Sequence, residues 1–267
     1  MNRKNVSTSK SLLDEILERG FIRVAAYWGA HYMQYLDPDT GEPAGFVGLV
    51  GKMLARDLGV RAEFVDLERV VHVGEHVDAP WIDHLPYLLD GRVEIMLKHG
   101  NTPRRSLEAE FTTEPILCQK SSIVVRRDGG MFDENDLNQA GRVIAVLAKS
   151  SQEFHARERY PSAEVRAFPD GYNLLGAVLS GEADACLPDY QVKDFFAEHP
   201  ECTALPTYDG RPFISYCIHP CIKPGEQRLL NWLNSWVAFR KAQEGVFERV
   251  LERAKQDFEA KRERISA

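Results

Sequence analysis

Several kinds of signal are missing from this sequence, and each absence argues against a class of protein. No run of about 18 apolar residues occurs, so no membrane-spanning helix is expected. Lys and Arg number 33 against 40 Asp and Glu, which gives a formal net charge of -7 and a pI near 5.7. Without a basic surface, phosphate-driven binding of nucleic acid is not expected.

The cysteines are few, odd in number and scattered. They lack both the paired CxxC spacing of a zinc site and the density of a disulfide framework, and they are Cys118, Cys186, Cys202, Cys217 and Cys221. We interpret most of them as small apolar core residues, and the set favours a reducing compartment. Residues 1–10 are polar instead of apolar, so they are not expected to act as a signal peptide. The sequence therefore predicts a periplasmic protein if an export signal has been removed, and a cytoplasmic protein otherwise.

No motif for a metal or a cofactor is present, so neither is predicted. The eight histidines show no HExxH pairing, and no nucleophile elbow or phosphate loop is found. His72, His76 and His84 lie in or beside residues 70–80, which have the composition of an inserted segment. A three-histidine metal site is conceivable there, but a surface loop is favoured.

The patterns that are present indicate alternating helices and strands. Helices are predicted over residues 11–19, 47–58, 82–89, 152–159, 172–179, 227–244 and 246–260. Strands are predicted over residues 21–27, 61–67, 93–97, 121–126, 143–147, 164–168 and 213–218. Residues 98–105 are predicted to be a polar loop, and residues 37–41 and 183–187 to be turns.

This alternation falls into two groups, which predicts an α/β fold of two lobes with one sheet each. The chain of 267 residues, 44% of them hydrophobic, is long enough for two such cores. We expect it to cross between the lobes twice, near residues 121–124 and 210–214. The first lobe would then be discontinuous, comprising residues 1–122 and 212–267, and the second lobe would comprise residues 123–211.

Several segments in order resemble one family. They are LDEILERGFIRVAAY, DTGEPAGF, WIDHLPYLLDGRVEIML, NTPRRSLEAEFTTEPI, SSIVVRRD and LLGAVLSGEADACLPDYQV. The set, which extends from residue 12 to about residue 250, is similar to the amino-acid-type periplasmic solute-binding proteins. The resemblance implies the type II two-lobed fold, with a mostly parallel sheet flanked by helices in each lobe. It also implies a small carboxylate ligand, such as an amino acid, held between lobes that close on it, and the membrane subunits of an ABC importer, or a sensor, as partner.

The resemblance assigns roles to individual residues. Arg105 occupies the position of the arginine that clamps the ligand carboxylate, and Thr102, three residues earlier in the same segment, is a further ligand-binding candidate. A guanidinium suits this role because it presents a rigid fork of donors to a carboxylate. Asp189 occupies the acidic position that accepts the amino group, although it could instead cap a following helix. Ser151 matches a hydroxyl contact at the start of a helix, and capping alone would also account for it.

An aromatic side chain is expected beside the ligand after the first strand, and Trp28 is the candidate. Two departures from the family pattern occur. Val47 stands where an acidic residue is usual, and Lys98 and His99 replace a small neutral lining. In a closed cleft this pair would favour a ligand with an additional negative charge, or would provide a proton donor and acceptor. Equally, both side chains could point to solvent.

A second hypothesis is an enzyme, because the chain also resembles cyclohexadienyl dehydratases. These lyases use the same fold to eliminate water and carbon dioxide from prephenate or arogenate. Glu153 or His99 would then act as the general acid, and Arg105 and Lys98 would hold the two carboxylates. Against it, the Gly-Gly-Thr-Asn-Glu segment of the dehydratases is represented here by residues 149–153, where only the glutamate is retained. The binding protein without catalysis is therefore the first hypothesis.

Overall fold

The computed structural model describes residues 10–26, 28, 32–67, 71–72, 81–82, 85–148, 150–168, 171–188, 196, 198–207 and 214–265. Contacts within the chain divide it into two compact units. Unit 1 comprises Met1–Glu68, Leu85–Leu117 and Ile218–Ala267, and unit 2 comprises Arg69–His84 and Cys118–Cys217. The lobe boundaries proposed from the sequence stay a prediction.

Helices are distributed among the strands along the described chain. The strands are β1 (Phe21–Ala26), β2 (Tyr35–Leu36), β3 (Pro43–Ala44), β4 (Arg61–Asp66), β5 (Val71–His72), β6 (Trp81–Ile82), β7 (Met96–Gly100), β8 (Glu110–Phe111), β9 (Leu117–Ser121), β10 (Ile123–Arg126), β11 (Val143–Leu147), β12 (Glu164–Phe168), β13 (Ala185–Leu187), β14 (Cys202–Leu205) and β15 (Ile214–Ile222). The helices are α1 (Leu12–Arg19), α2 (Gly45–Leu58), α3 (Leu85–Leu89), α4 (Ser151–Arg159), α5 (Gly171–Ser180), α6 (Gln227–Lys241), α7 (Val246–Glu259) and α8 (Arg262–Ile265). Short 3-10 turns occur at Arg105–Leu107 and Glu134–Leu137.

Local chemistry sets the ends of the first helix. The Ser11 hydroxyl accepts the Asp14 backbone N–H, and the Asp14 carboxylate accepts the Ser11 N–H in return, which forms a capping box. Gly20 ends α1 with a φ of 77°, a left-handed conformation that glycine adopts without strain. Leu13 and Ile16, three residues apart, are buried on one face. Each of these features can be read from the sequence, and the predicted helix is confirmed.

Unit 1 contains parallel strands whose carboxyl ends lie at one edge. β1 pairs in parallel with β4, and a parallel bridge joins Val24 of β1 to Ile95, which precedes β7. β7 in turn pairs antiparallel with β15, and β15 with β8. β1, β4 and β7 therefore end on the same side. In open α/β sheets, that side is where ligands bind.

Unit 2 has a five-stranded sheet in the order β12-β11-β13-β10-β14. β12, β11 and β13 pair in parallel, whereas β10 pairs antiparallel with β13 and β14. Alternate residues of the strands enter two hydrophobic clusters. Ile144 and Val146 belong to one cluster, and Ala145 to the other. Because the residues of a strand point alternately to opposite faces, both faces of this sheet are covered.

Three predictions of local structure are wrong. Residues 98–100 form the end of β7 instead of a loop, since the backbone of β15 pairs with them. Residues 185–187 form a strand instead of a turn, in parallel pairing with β11. Ile82 belongs to β6, opposite Val71, and not to the following helix. In each case a distant segment provides hydrogen-bond partners that local pattern does not reveal.

The cysteines do not all behave as the sequence suggested. Cys118 and Cys217 form a disulfide across 99 residues of sequence, whereas Cys186, Cys202 and Cys221 are buried thiols. The interpretation of the cysteines as core residues therefore holds for three of them. A structural disulfide is typical of oxidising compartments, so the expectation of a reducing compartment is not supported.

The α/β fold with helices packed on sheets is as predicted. Among the helices described here, none is long and apolar enough to cross a bilayer.

Candidate functional site

The unit 1 candidates follow the carboxyl ends of β1 and β7. Trp28 lies two residues beyond the end of β1, while Lys98 and His99 belong to β7. Thr102 and Arg105 occupy the turn that follows β7. The bridge between Val24 and Ile95 makes β1 run parallel to the chain entering β7, so these candidates lie at or after strand ends on the same side of unit 1.

Arg105 is positioned by two hydrogen bonds within its own turn. Its backbone N–H donates to the Thr102 hydroxyl at 3.2 Å, and its Nη1 donates to the Gly100 carbonyl at 2.9 Å. Thr102 is buried, with 8% of its surface exposed, whereas Arg105 is half-buried and the neighbouring Arg104 is exposed. The guanidinium is therefore restrained close to the strand end, which reduces the entropy lost when it binds an anion.

Trp28 lies against an aromatic neighbour on β4. Its ring centroid is 6.1 Å from that of Phe64, and the two planes are tilted by 50°. The residue is only partly buried. A tryptophan held on one side by another ring can present its other surface to a ligand.

Lys98 and His99 are consecutive strand residues, so their side chains leave opposite faces of β7. His99 lies directly across from His219 of β15. The His219 Nδ1 lies 2.7 Å from the Thr112 carbonyl oxygen. Since a carbonyl only accepts, Nδ1 carries the proton. Burial lowers the pKa of His219 below its usual value, although the Thr112 carbonyl and Glu114 oppose that effect.

The unit 2 candidates follow the carboxyl ends of parallel strands β11 and β13. Ser150 caps α4, because its hydroxyl accepts the Glu153 N–H at 3.1 Å. Ser151 is the first residue of α4, and its side chain lies outside the described part of the structure. Asp189 also lies outside the described residues, two positions after β13. The roles of Ser151 and Asp189 stay predictions.

Glu153, the acid candidate of the lyase hypothesis, is bound within its own helix. The Arg157 Nε and Nη2 donate to its Oε1 at 3.1 and 2.9 Å. Two donors of Arg157 therefore converge on one oxygen of the Glu153 carboxylate.

One contributor has no counterpart among the sequence predictions. The Gly100 carbonyl holds the Arg105 guanidinium, but main-chain atoms leave no sequence signal. Of the two serines before Gln152, Ser150 is the cap of α4, in the register S-x-x-E over residues 150–153. In the part of the chain that the structure describes, no group of three or more potential metal ligands occurs.

Comparison with known proteins finds that this chain is similar to amino-acid-binding proteins and to an ancestral cyclohexadienyl dehydratase. The ABC transporter glutamine-binding protein GlnH of Bacillus subtilis (strain 168) is 23% identical over 203 residues, which cover 74% of this chain and 68% of that protein. The ancestral amino acid-binding protein AncCDT-1, a precursor of cyclohexadienyl dehydratase, is 27% identical with a TM-score of 0.68, over 91% of this chain and 99% of its own.

A third relative shares the fold at lower identity. It is the amino acid ABC transporter substrate-binding protein AbpA of Streptococcus pneumoniae Canada MDR_19A, solved with L-arginine, at 19% identity and a TM-score of 0.69 over 92% and 98% of the two chains. The family model for bacterial extracellular solute-binding proteins, family 3, matches residues 22–253. Since that match takes in nearly the whole chain, the protein belongs to the bacterial extracellular solute-binding proteins of family 3.

Proposed function

We propose that this protein captures an amino acid or a related small carboxylate outside the cytoplasm and delivers it to an ABC importer or a sensor. The observation that carries the proposal is the restrained Arg105 in the turn after the carboxyl end of β7. GlnH and AbpA, which resemble this chain, are named as amino-acid-transporter components. The aligned part spans about two thirds of GlnH, so the transport role is part of the proposal.

Arg105 is proposed to bind the ligand carboxylate through its guanidinium. The Gly100 carbonyl already fixes Nη1, so the orientation of the planar fork is set before the ligand arrives. Asp189 would accept the ligand's amino group, and Trp28 would pack on its side chain. Thr102 holds the backbone of the arginine turn, which makes it a positioning residue in this arrangement.

Lys98 is proposed to favour ligands that carry a second acidic group. A small neutral residue at position 98 would present no charge to the ligand side chain. The ammonium group of Lys98 instead attracts a carboxylate. Acidic amino acids and dicarboxylates are therefore expected to bind at least as well as neutral amino acids.

The proposed location outside the cytoplasm rests on the disulfide. Cys118 and Cys217 are paired, and disulfides persist where the surroundings are oxidising. The membership of an extracellular family agrees with this location.

The lyase hypothesis finds less support from the described residues. Its acid would be Glu153, which Arg157 engages, or His99, which lies opposite His219 in a strand pair. We propose that the protein binds without converting its ligand.

The test is calorimetry and thermal shift with L-amino acids, dicarboxylates, prephenate and arogenate. Each amino acid is paired with its carboxamide, which keeps the side chain and the amino group but removes the negative charge. We expect a rise in Tm with at least one free acid and none with its amide. Equal shifts with acid and amide would contradict the role of Arg105. Turnover of prephenate or arogenate would replace the proposal by the lyase.

A further inference from the structure

Two strands carry the chain from unit 1 into the long segment of unit 2 and back again. β9 contains the step from Leu117 to Cys118, and β15 contains the step from Cys217 to Ile218. Cys118 and Cys217 are thus the first and last residues of the long segment of unit 2, and the disulfide joins them. The bond closes that segment into a covalent ring at its two points of entry.

The same two strands also pair with each other through their backbones. A covalent bond across paired strands keeps them from separating and from changing register. In a two-lobed protein that closes on its ligand, the connecting strands absorb the changes in backbone angle. The bridge therefore restrains two connecting strands, and the backbone freedom of such strands sets the range of conformations open to the unliganded protein.

The two cysteines of the disulfide are more exposed to solvent than the three free cysteines. Cys118 is exposed and Cys217 is partly exposed, whereas Cys186, Cys202 and Cys221 are buried. Burial raises the pKa of the Cys221 thiol to about 12, and it raises the pKa of the Cys186 thiol as well. Thiolates are the species that exchange, so the three buried thiols are poor partners for disulfide shuffling. Exposed disulfides are the more readily reduced kind.

We infer that the disulfide between Cys118 and Cys217 is a redox-responsive clamp on the connection between the units, which strengthens ligand binding when it is formed. Reduction follows ordinary thiol exchange: a dithiol reductant attacks one sulfur, the S–S bond breaks, and two protein thiols and the oxidised cyclic reductant result. With the clamp open, the unliganded form gains conformational freedom, and closing on a ligand then costs more entropy. The change in affinity rests on the proposed function, but the change in strand freedom does not.

The first experiment needs no ligand. Thiol counting in denatured, non-reduced protein should find three free thiols among the five cysteines. Hydrogen exchange is then compared between the oxidised protein and protein reduced with dithiothreitol. Acceleration in β9 and β15 that exceeds the acceleration in β11 and β13 supports the clamp, because lower global stability alone also speeds exchange in the core strands. Five free thiols, unchanged exchange in β9 and β15, or an acceleration in β11 and β13 as large as that in β9 and β15 would overturn it, the last because it would report general loosening of unit 2.

The second experiment measures affinity by calorimetry with whichever amino acid binds in the screen. Reduction is expected to raise Kd about fivefold, because the binding-competent fraction of the open ensemble falls. A Cys118→Ser/Cys217→Ser variant should show the raised Kd under both conditions. Cys202→Ala, which removes a buried thiol, should retain the response to reduction. If reduction changes hydrogen exchange but leaves Kd unchanged, the proposed effect on binding is overturned. If no ligand binds in the screen, only the proposed function is contradicted.

Discussion

The Nη1 of Arg105 donates to the carbonyl oxygen of Gly100 at 2.9 Å, so the Arg105 side chain reaches back to the main chain five residues earlier. The turn between them places the guanidinium beside the end of β7. Arg104, one residue earlier, has an exposed side chain. Adjacent arginines therefore have different surroundings, and they offer a matched pair of variants.

Arg105→Ala is expected to weaken binding of the carboxylate ligand by about 2–5 kcal/mol, the usual effect of removing one partner of a buried charge pair. Arg105→Lys should recover only part of the loss, because an ammonium cannot reproduce the planar fork. Calorimetry at constant salt measures both. Arg104→Ala is the control and should change Kd little. Equal losses in the two alanine variants would indicate general electrostatic attraction instead of a specific clamp.

Thr102→Val removes the hydroxyl that accepts the Arg105 N–H while keeping the shape of the side chain. We expect weaker ligand binding by about 0.5–1.5 kcal/mol, the ordinary net value of one hydrogen bond. Thr102→Ser retains the hydroxyl and should restore most of the affinity. If serine and valine gave the same Kd, the contribution of Thr102 would be its packing and not the turn hydrogen bond.

Reduction of the Cys118–Cys217 bond is expected to lower the free energy of unfolding by about 2–5 kcal/mol, since the bond closes a long loop in the unfolded chain. Urea titrations with and without dithiothreitol measure the difference. The Cys118→Ser/Cys217→Ser variant should behave like the reduced protein in both titrations. A variant as stable as the oxidised protein would show that the bridge contributes nothing to folding.

Stability should also depend on the protonation of His219. Burial holds the pKa of its folded form below the usual 6.5, so below about pH 6.5 the unfolded chain binds more protons than the folded one. The free energy of unfolding should therefore fall as the pH drops below that value, until the lowered folded pKa is reached, and should be insensitive to this group at higher pH. Thermal melts across this range measure the slope.

His219→Gln should flatten that slope, because the amide retains an N–H for the Thr112 carbonyl but does not titrate. A slope that survives in His219→Gln would assign the pH dependence to another group.

Local chemistry alone was enough for much of the secondary structure. The predicted helix over residues 11–19 ends where α1 ends, before Gly20, and β11 and β12 were predicted with the bounds that the structure has. Such features depend on neighbours within a few residues, and so the sequence contains them in full. The resemblance to the solute-binding family was likewise recognisable, because it depends on the order of segments.

The sequence by itself determined the helices, most strands and the family, while the tertiary structure decided what depends on distant partners. Residues 98–100 became a strand because β15 pairs with them, and Cys118 met Cys217 across 99 residues of chain. The hydrogen bond from the Arg105 guanidinium to the Gly100 carbonyl depends on the path of a turn. Its acceptor is a backbone atom that every residue has, so no residue type in the sequence marks it. Pairing between remote segments is set by packing and hydrogen bonding in the folded state, which no local pattern encodes.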